Sequence, residues 1–271
     1  MNRMDGKICV VSGSTQGLGA AIARRLAAAG AAGIVTMGRN RTKGLAVAGD
    51  IEAATGVPVH FVRMDLASVA DCRAAIAEAE GRFGALHVLV NAGAMTDRGT
   101  ILDTSPELFD ALFATNVRGP YFLMQETIRR MIRDGIEGAI VNIGSISELA
   151  GQPFINAYCA SKGALSTLTR NTAFSVMKNR IRVNQLNVGW MASDHEREIQ
   201  LAASGDPDWE ARAAAALPFG RLVDPDEAAR AVNFLVSADA GLMTGAVVNF
   251  DQTVWGAASG AMPVPDAALS L

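Results

Sequence analysis

The sequence predicts a doubly wound α/β fold: one mainly parallel seven-stranded sheet with helices on both faces, in a single domain. Three observations predict it. Short apolar runs alternate with helical segments along the chain, as they do when strands are buried on both faces. The first run opens into a glycine loop and then an alanine-rich helix, the setting in which a glycine loop carries meaning. No repeat or linker interrupts the alternation, so residues 1–271 are expected to form one unit.

The elements follow in order. Lys7-Ile8-Cys9-Val10-Val11 is a strand-length apolar run. Ser12-Gly13-Ser14-Thr15-Gln16-Gly17-Leu18-Gly19 follows it, and Ala20 to Ala29 is alanine-rich, with Ile22 and Leu26 at helical spacing. Glycines let a backbone approach a pyrophosphate, and a helix N-terminus offers free N–H groups; a plain tight turn is the competing reading of the loop. Gly33 to Met37 is the second strand and ends in Gly38-Arg39-Asn40-Arg41. An acid that would bind a ribose is expected near this place; Gly38 and Arg39 stand there instead. Arg39 can pair with a 2′-phosphate, or it is an exposed loop cation.

Residues 42–55 read as a helix and 57–64 as the third strand, closed by Asp65-Leu66. Asp65 can touch an adenine edge or cap the next helix, 68–82. Residues 86–90 form the fourth strand, ending at Asn91-Ala92-Gly93-Ala94. Ser105-Pro106-Glu107 starts a helix with an N-cap serine and proline in the first turn. Asn116 is expected just beyond that helix, as a C-cap or as the holder of an ordered water, and 121–133 make the next helix. Residues 138–144 are the fifth strand, 180–186 the sixth and 246–250 the last. Residues 190–223 are long for a connection and are expected to form a substrate lid. Asp224 and Glu227 open another helix as N-cap and N3 residues. The tail 254–271 is either loose or docked on another subunit. Ligands of such sheets bind at the carboxyl ends of the strands, and Gly13, Gly38, Asp65, Asn91, Ser145 and Gly189 all follow strand ends.

Composition narrows the function classes. Half the residues are hydrophobic and 19% charged, enough for a large core. The net charge is −3 and the pI about 5.7, with no basic stripe for a nucleic acid. No apolar run approaches the ~20 residues of a membrane span. Cys9, Cys72 and Cys159 suggest neither a disulfide framework nor a metal site. His60 and His87 read as structural and His195 as a solvated loop residue, so no metal is expected. No secretory signature is visible at the N-terminus, and a cytoplasmic location is expected.

The chemistry concentrates between Gly144 and Lys162. Tyr158 and Lys162 are four residues apart, which on a helix puts both on one face with Cβ atoms roughly 6 Å apart. A nearby ammonium is expected to lower the phenol pKa from about 10 towards the range where general acid–base transfer works best. Ser145 ends the fifth strand, where its hydroxyl can hold a substrate oxygen beside Tyr158.

These residues resemble the short-chain dehydrogenase/reductase family over roughly residues 5–253. The Ser12–Gly19 loop is similar to its Thr-Gly-x-x-x-Gly-x-Gly, and Asn116, Ser145, Tyr158 and Lys162 match its active-site set. The resemblance implies a Rossmann-type fold and an NAD(P)-dependent oxidoreductase that interconverts a secondary alcohol and a ketone. It implies that Ser145 and Tyr158 bind the substrate oxygen, Tyr158 passes the proton, Lys162 holds the nicotinamide ribose and Asn116 supports a water relay. It places the dinucleotide on Gly13, Ser14, Thr15, Gln16, Gly17, Leu18, Gly19, Gly38, Arg39, Asn40, Asp65, Leu66, Asn91, Ala92, Gly93, Tyr158, Lys162, Gly189, Met191 and Ser193. The Gly38-Arg39 pair points to NADP, with NAD still usable. Three segments depart from the pattern: Asn91-Ala92-Gly93-Ala94, Val188-Gly189 and Asp251-Gln252-Thr253.

A dinucleotide-binding sensor without turnover is the reading from another class, but it needs no such four-residue set. Ser147, Glu148, Gln152 and Trp190 are expected to face the substrate. Their polarity suits a sugar or polyol, with a 3-oxoacyl thioester as the alternative. A homo-oligomer, a tetramer as in many family members, is expected through the apolar faces of 118–133 and 157–178 and the last strand.

Overall fold

The computed structural model describes residues 3–149 and 151–254. Seven strands form one parallel sheet: β1 (Ile8–Ser12), β2 (Gly33–Gly38), β3 (Val59–Arg63), β4 (Val88–Asn91), β5 (Ala139–Ser145), β6 (Arg182–Val188) and β7 (Val247–Phe250). Their order is β3-β2-β1-β4-β5-β6-β7. The chain winds outward from β1 to β3, returns to place β4 beside β1, and winds out the other way to β7. The strand order therefore reverses between β1 and β4, and the crevice at their carboxyl ends is where such sheets bind ligands.

Nine α-helices connect the described strands: α1 (Gly17–Ala28), α2 (Arg41–Thr55), α3 (Val69–Phe83), α4 (Pro106–Phe113), α5 (Gly119–Arg133), α6 (Asn156–Val176), α7 (Asp194–Ser204), α8 (Trp209–Ala215) and α9 (Pro225–Val236). Side chains alternate across a strand, so β1 feeds two cores. Cys9 and Val11 pack with α1 and α9, and Ile8 and Val10 pack with α3 and α5. All five residues of β1 are buried, which is why it reads as a continuous apolar run.

Side-chain caps set several helix starts. Asn40 accepts from Lys43 N at 3.0 Å, Ser68 from Asp71 N at 3.2 Å and Ser105 from Leu108 N at 3.2 Å. Asp224 caps α9 as expected, through Asp226 N. Glu227 instead pairs with Arg221, so the capping box is half formed.

The structure revises two further expectations. Asn116 does not lie beyond a helix end. Residues Ala114–Arg118 form a π-helical turn that joins α4 to α5 without a break. One extra residue in the turn keeps the helix running while re-aiming its side chains, a device common at functional sites. Residues 190–223, expected to form a lid, carry α7 and α8. The sixth strand runs on to Val188, two residues past the expected end, because its polar residues Asn184, Gln185 and Asn187 are fully buried. The expected tail from 255 onward lies outside the described residues. Among the described residues, no helix is long and apolar enough to cross a membrane, and no group of three or more His, Cys, Asp or Glu is placed to hold a metal ion.

Candidate active site

The glycine loop is built by contact with β4. Gly13 has φ +67°, and a Cβ there would lie 2.2 Å from Gly93 Cα. A Cβ on Gly19 would lie 2.2 Å from Gly13 O, and one on Gly38 would lie 2.6 Å from Thr15 Cγ2. Gly93 in turn faces Leu66 Cδ1 at 2.4 Å from its ideal Cβ. At Gly13 and Gly19 the close atoms are backbone, so only glycine fits there, and together these positions leave a concave backbone floor beside the first turn of α1. A cleft of about 760 Å³ opens over it, lined by Gly13, Thr15, Gln16, Gly38, Arg39, Asp65, Leu66 and Gly93. Met95, Thr96, Asp97 and Arg98 line the same cleft, and Ile199 and Ala202 of α7 close over it. A bare backbone floor at a helix N-terminus with cationic residues at one end fits a dinucleotide.

Several residues expected at the dinucleotide use their side chains for the scaffold. The Ser14 hydroxyl donates to Val11 O at 2.7 Å and accepts from Met37 N at 2.9 Å, which fixes the loop between β1 and β2. Asn91 is buried and donates to Asn142 Oδ1 at 2.8 Å. Asn40 and Ser193 are spent on the caps of α2 and α7. Leu18 and Ala92 pack on the core, as does Met191. Gly189 is required by β7, because its Cβ would meet Asp251 Oδ1 at 2.0 Å. Gln252, where the sequence departs from the family pattern, pins the end of the 190–223 segment. It accepts from Phe219 N at 2.8 Å and donates to Arg221 O at 2.7 Å.

One residue at the cleft went unread in the sequence. Lys43, in the first turn of α2, donates to Gln16 Oε1 at 2.8 Å. Its ammonium therefore stands beside the glycine loop at the Arg39 end of the cleft. The only signal in the sequence was a basic residue four positions past Arg39.

The residues expected to carry the chemistry come together at the end of β5. Ser145 Oγ donates to Ser147 Oγ at 3.0 Å and accepts from Ser147 N at 3.1 Å. Ser147 Oγ passes the chain on to Gln152 Oε1. Lys162 is 3% exposed. Its Nζ donates to Ile143 O at 2.9 Å and lies 5.6 Å from the Tyr158 ring centroid. Asn116 is 1% exposed and holds the 94–99 loop through both polar atoms. Its Oδ1 accepts from Met95 N at 2.8 Å, and its Nδ2 donates to Met95 O at 2.9 Å and to Ser161 Oγ at 3.0 Å.

Trp190 donates to Glu196 Oε1 at 2.8 Å and stacks on Trp209 with centroids 5.8 Å apart. Gln200 also donates to Glu196, at 2.7 Å. Of the four residues expected at the substrate, Glu148 is turned inward. Its two oxygens accept from Ser166 Oγ and Gln185 Nε2. The reason is local: the chain enters a 3₁₀ turn at Ile146–Leu149, which swings residue 148 back under the strand.

The electrostatics differ from the simple lysine-over-tyrosine expectation. Burial pushes the Tyr158 phenol up to about 12, against the Ser145 hydroxyl, and the charges of Cys159 and Glu196 add to the rise. Burial also pulls Lys162 down to about 8, against the Glu148 carboxylate. Desolvation thus wins over pairwise attraction at both groups, and the chain by itself holds the Tyr158 phenol neutral.

Such a cleft at the switch point of a doubly wound sheet defines a class: dinucleotide-binding oxidoreductases. The comparisons agree. A family model described as Enoyl-(Acyl carrier protein) reductase matches residues 13–253. The chain is 33% identical to 2-(S)-hydroxypropyl-CoM dehydrogenase 3 of Xanthobacter autotrophicus, over 92% of this chain and 97% of that one. L-sorbose reductase from Gluconobacter frateurii, solved with NADPH and L-sorbose, superposes with a TM-score of 0.90 at 26% identity, covering 95% and 100% of the two chains. NAD+-bound xylitol dehydrogenase gives 0.85 at 27% identity, covering 92% and 99%. The chain belongs to the short-chain dehydrogenase/reductase family and is an NAD(P)-dependent oxidoreductase of that type.

Tyr158 and Tyr121 are the two tyrosines of the chain, so the phenol shift can be read directly. In Tyr121→Phe without dinucleotide, the remaining phenol should ionise at about 12 rather than 10.0. Ultraviolet difference titration checks it.

Proposed function

We propose that the protein interconverts a secondary alcohol and a ketone on a small hydroxyl-rich substrate, a sugar or polyol, with NADP preferred and NAD usable. The observation that carries the substrate class is a pair of polar clusters that reach Tyr158 through Ser145 and Glu196. Ser145, Ser147 and Gln152 form one hydrogen-bonded cluster. Trp190, Glu196 and Gln200 form a second polar cluster, and the charge of Glu196 reaches Tyr158. A pocket that hydrogen-bonds substrate hydroxyls rejects analogues lacking them. L-sorbose reductase and xylitol dehydrogenase support this class, whereas the hydroxypropyl-CoM relative acts on an alcohol of another kind.

The same reading assigns the roles. Ser145 holds the substrate oxygen by a hydrogen bond, and Tyr158 gives it a proton or removes one. Lys162 keeps N–H groups free after its bond to Ile143 O, since an ammonium has three donors, and these hold the nicotinamide ribose. The Gly13–Gly19 loop and the start of α1 hold the pyrophosphate, and Asp65 and Leu66 flank the adenine. Gly189, Met191 and Ser193 border the nicotinamide. When bound, the dinucleotide supplies or accepts the hydride. Asn116 braces the 94–99 loop against α6 and so sets the wall of the pocket. Gly38 offers no acid to the adenosine ribose, while Arg39 and Lys43 bring two cations to that end of the cleft. An added 2′-phosphate would gain charge-assisted bonds there.

We also propose a homo-oligomer, a tetramer. Phe109 on α4 and Tyr121 on α5 are 44% and 45% exposed, and Phe174 on α6 is 73% exposed. Aromatic rings of this size on neighbouring helices suit burial against another copy.

Tyr158→Phe should lower kcat by about 10²–10⁴-fold while dinucleotide affinity, read by fluorescence titration, survives. Turnover near wild type overturns the proton-carrier role. Arg39→Ala and Lys43→Ala should each lower kcat/KM for NADP by roughly tenfold and leave NAD nearly unchanged. An unaltered ratio in both variants removes the charge argument. Light scattering at micromolar concentration should give a multiple of the 28.3 kDa chain mass; a monomer contradicts the assembly.

A further inference from the structure

Lys162 presents a physical problem that its bond to Ile143 O does not solve. A cation 3% exposed is costly unless an opposite charge faces it. Among the described residues, no carboxylate lies within ion-pair distance of its Nζ. The charged or titratable neighbours are few. Its own helix contributes Tyr158, one turn back. β5 contributes the neutral Ile143 carbonyl, which accepts from Nζ at 2.9 Å. The 3₁₀ turn after β5 contributes Glu148.

Glu148 is held in place at both oxygens. Ser166, four residues beyond Lys162 on α6, donates to Oε1 at 3.2 Å. Gln185 of β6 donates to Oε2 at 2.8 Å. Gln185 is itself fixed, because its Nε2 also meets Asn187 Oδ1 at 2.8 Å and its Oε1 accepts from Thr169 Oγ1 at 3.0 Å. The chain leaves room for this arrangement at Gly144. A Cβ there would lie 2.0 Å from Asn187 Oδ1 and 2.4 Å from Gln185 Nε2. A partly buried carboxylate tied at both oxygens cannot swing out to water.

We propose that Glu148 is a positioning residue for Lys162: its carboxylate, slung between Ser166 of α6 and Gln185 of β6, keeps the ammonium charged and in its buried seat. The inference rests on reading Lys162 as part of the reaction site. Standing off from the ammonium, the carboxylate compensates the charge and leaves the N–H groups free. A direct ion pair would occupy them. The direction of the Lys162 titration agrees, since the Glu148 charge opposes the downward pull of burial.

The test reads Lys162 itself and uses no turnover. The chain has four lysines, Lys7, Lys43, Lys162 and Lys178. With carbon-13 at Cε, four resonances can be followed against pH, and Lys162→Met assigns its own by loss. In the full-length E148Q variant the Lys162 midpoint should fall by roughly half a pH unit or more. The other three should keep their midpoints. Ser166→Ala removes one tether and no charge, and should move the same midpoint down by a smaller step. It decides the matter alone if E148Q does not fold. A Lys162 midpoint equal to wild type in the folded variants overturns the proposal. A shifted midpoint in a protein that turns over no alcohol leaves it standing and removes the functional reading instead.

Discussion

An ammonium buried to 3% exposure at the end of β5 is the constraint around which this structure is arranged. Its lowering from 10.5 to about 8 corresponds to roughly 3 kcal/mol against the charged form. That cost is accepted one helical turn from the Tyr158 phenol. Burial also raises Tyr158, which is half-buried and whose ring centroid lies 5.6 Å from Nζ. The Ile143 carbonyl accepts from the ammonium, and the Glu148 charge opposes its loss.

The compensation extends across the sheet as a ladder of buried polar side chains. Asn91 of β4 donates to Asn142 of β5, and Asn142 donates to Thr169 of α6 at 2.8 Å. Thr169 joins Gln185 of β6, and Asn187 reaches Asn249 of β7 at 3.1 Å. Five elements are thereby locked in register beneath the site. Apart from Asn91 Oδ1, which has no partner, these groups hold one another in a single arrangement, because a slip would leave more buried polar groups without partners. The same rigidity explains how Asn116 can hold a loop wall through Met95 and yet stay tied to α6 through Ser161.

The sheet was legible because β1, β2 and β4 are apolar on both faces, a signal local in sequence. The glycine loop and the Ser145, Tyr158 and Lys162 spacing were legible for the same reason. Interactions across long sequence separations were hidden. Nothing near Gly13 announces Gly93, and nothing near Gln16 announces Lys43. Asn142 and Gln185 look like ordinary polar residues in strands, although both are fully buried. Glu148 follows a strand end and so reads as facing the ligand, but a 3₁₀ turn reverses it. Asn116 reads as a helix boundary because a π turn has no composition of its own. The sign of the Tyr158 shift was missed because spacing reports a neighbour and says nothing of desolvation.

The central claim is that one buried, charged lysine links dinucleotide binding to the proton-transfer site. Dinucleotide affinity measured by fluorescence across the pH range tests it most directly. Below its midpoint of about 8 Lys162 is an ammonium, and above it a neutral amine. Binding should therefore weaken as pH rises through about 8 in the wild type, and that step should vanish in Lys162→Met. A wild-type affinity flat across this range, or an unchanged step in Lys162→Met, would contradict the account.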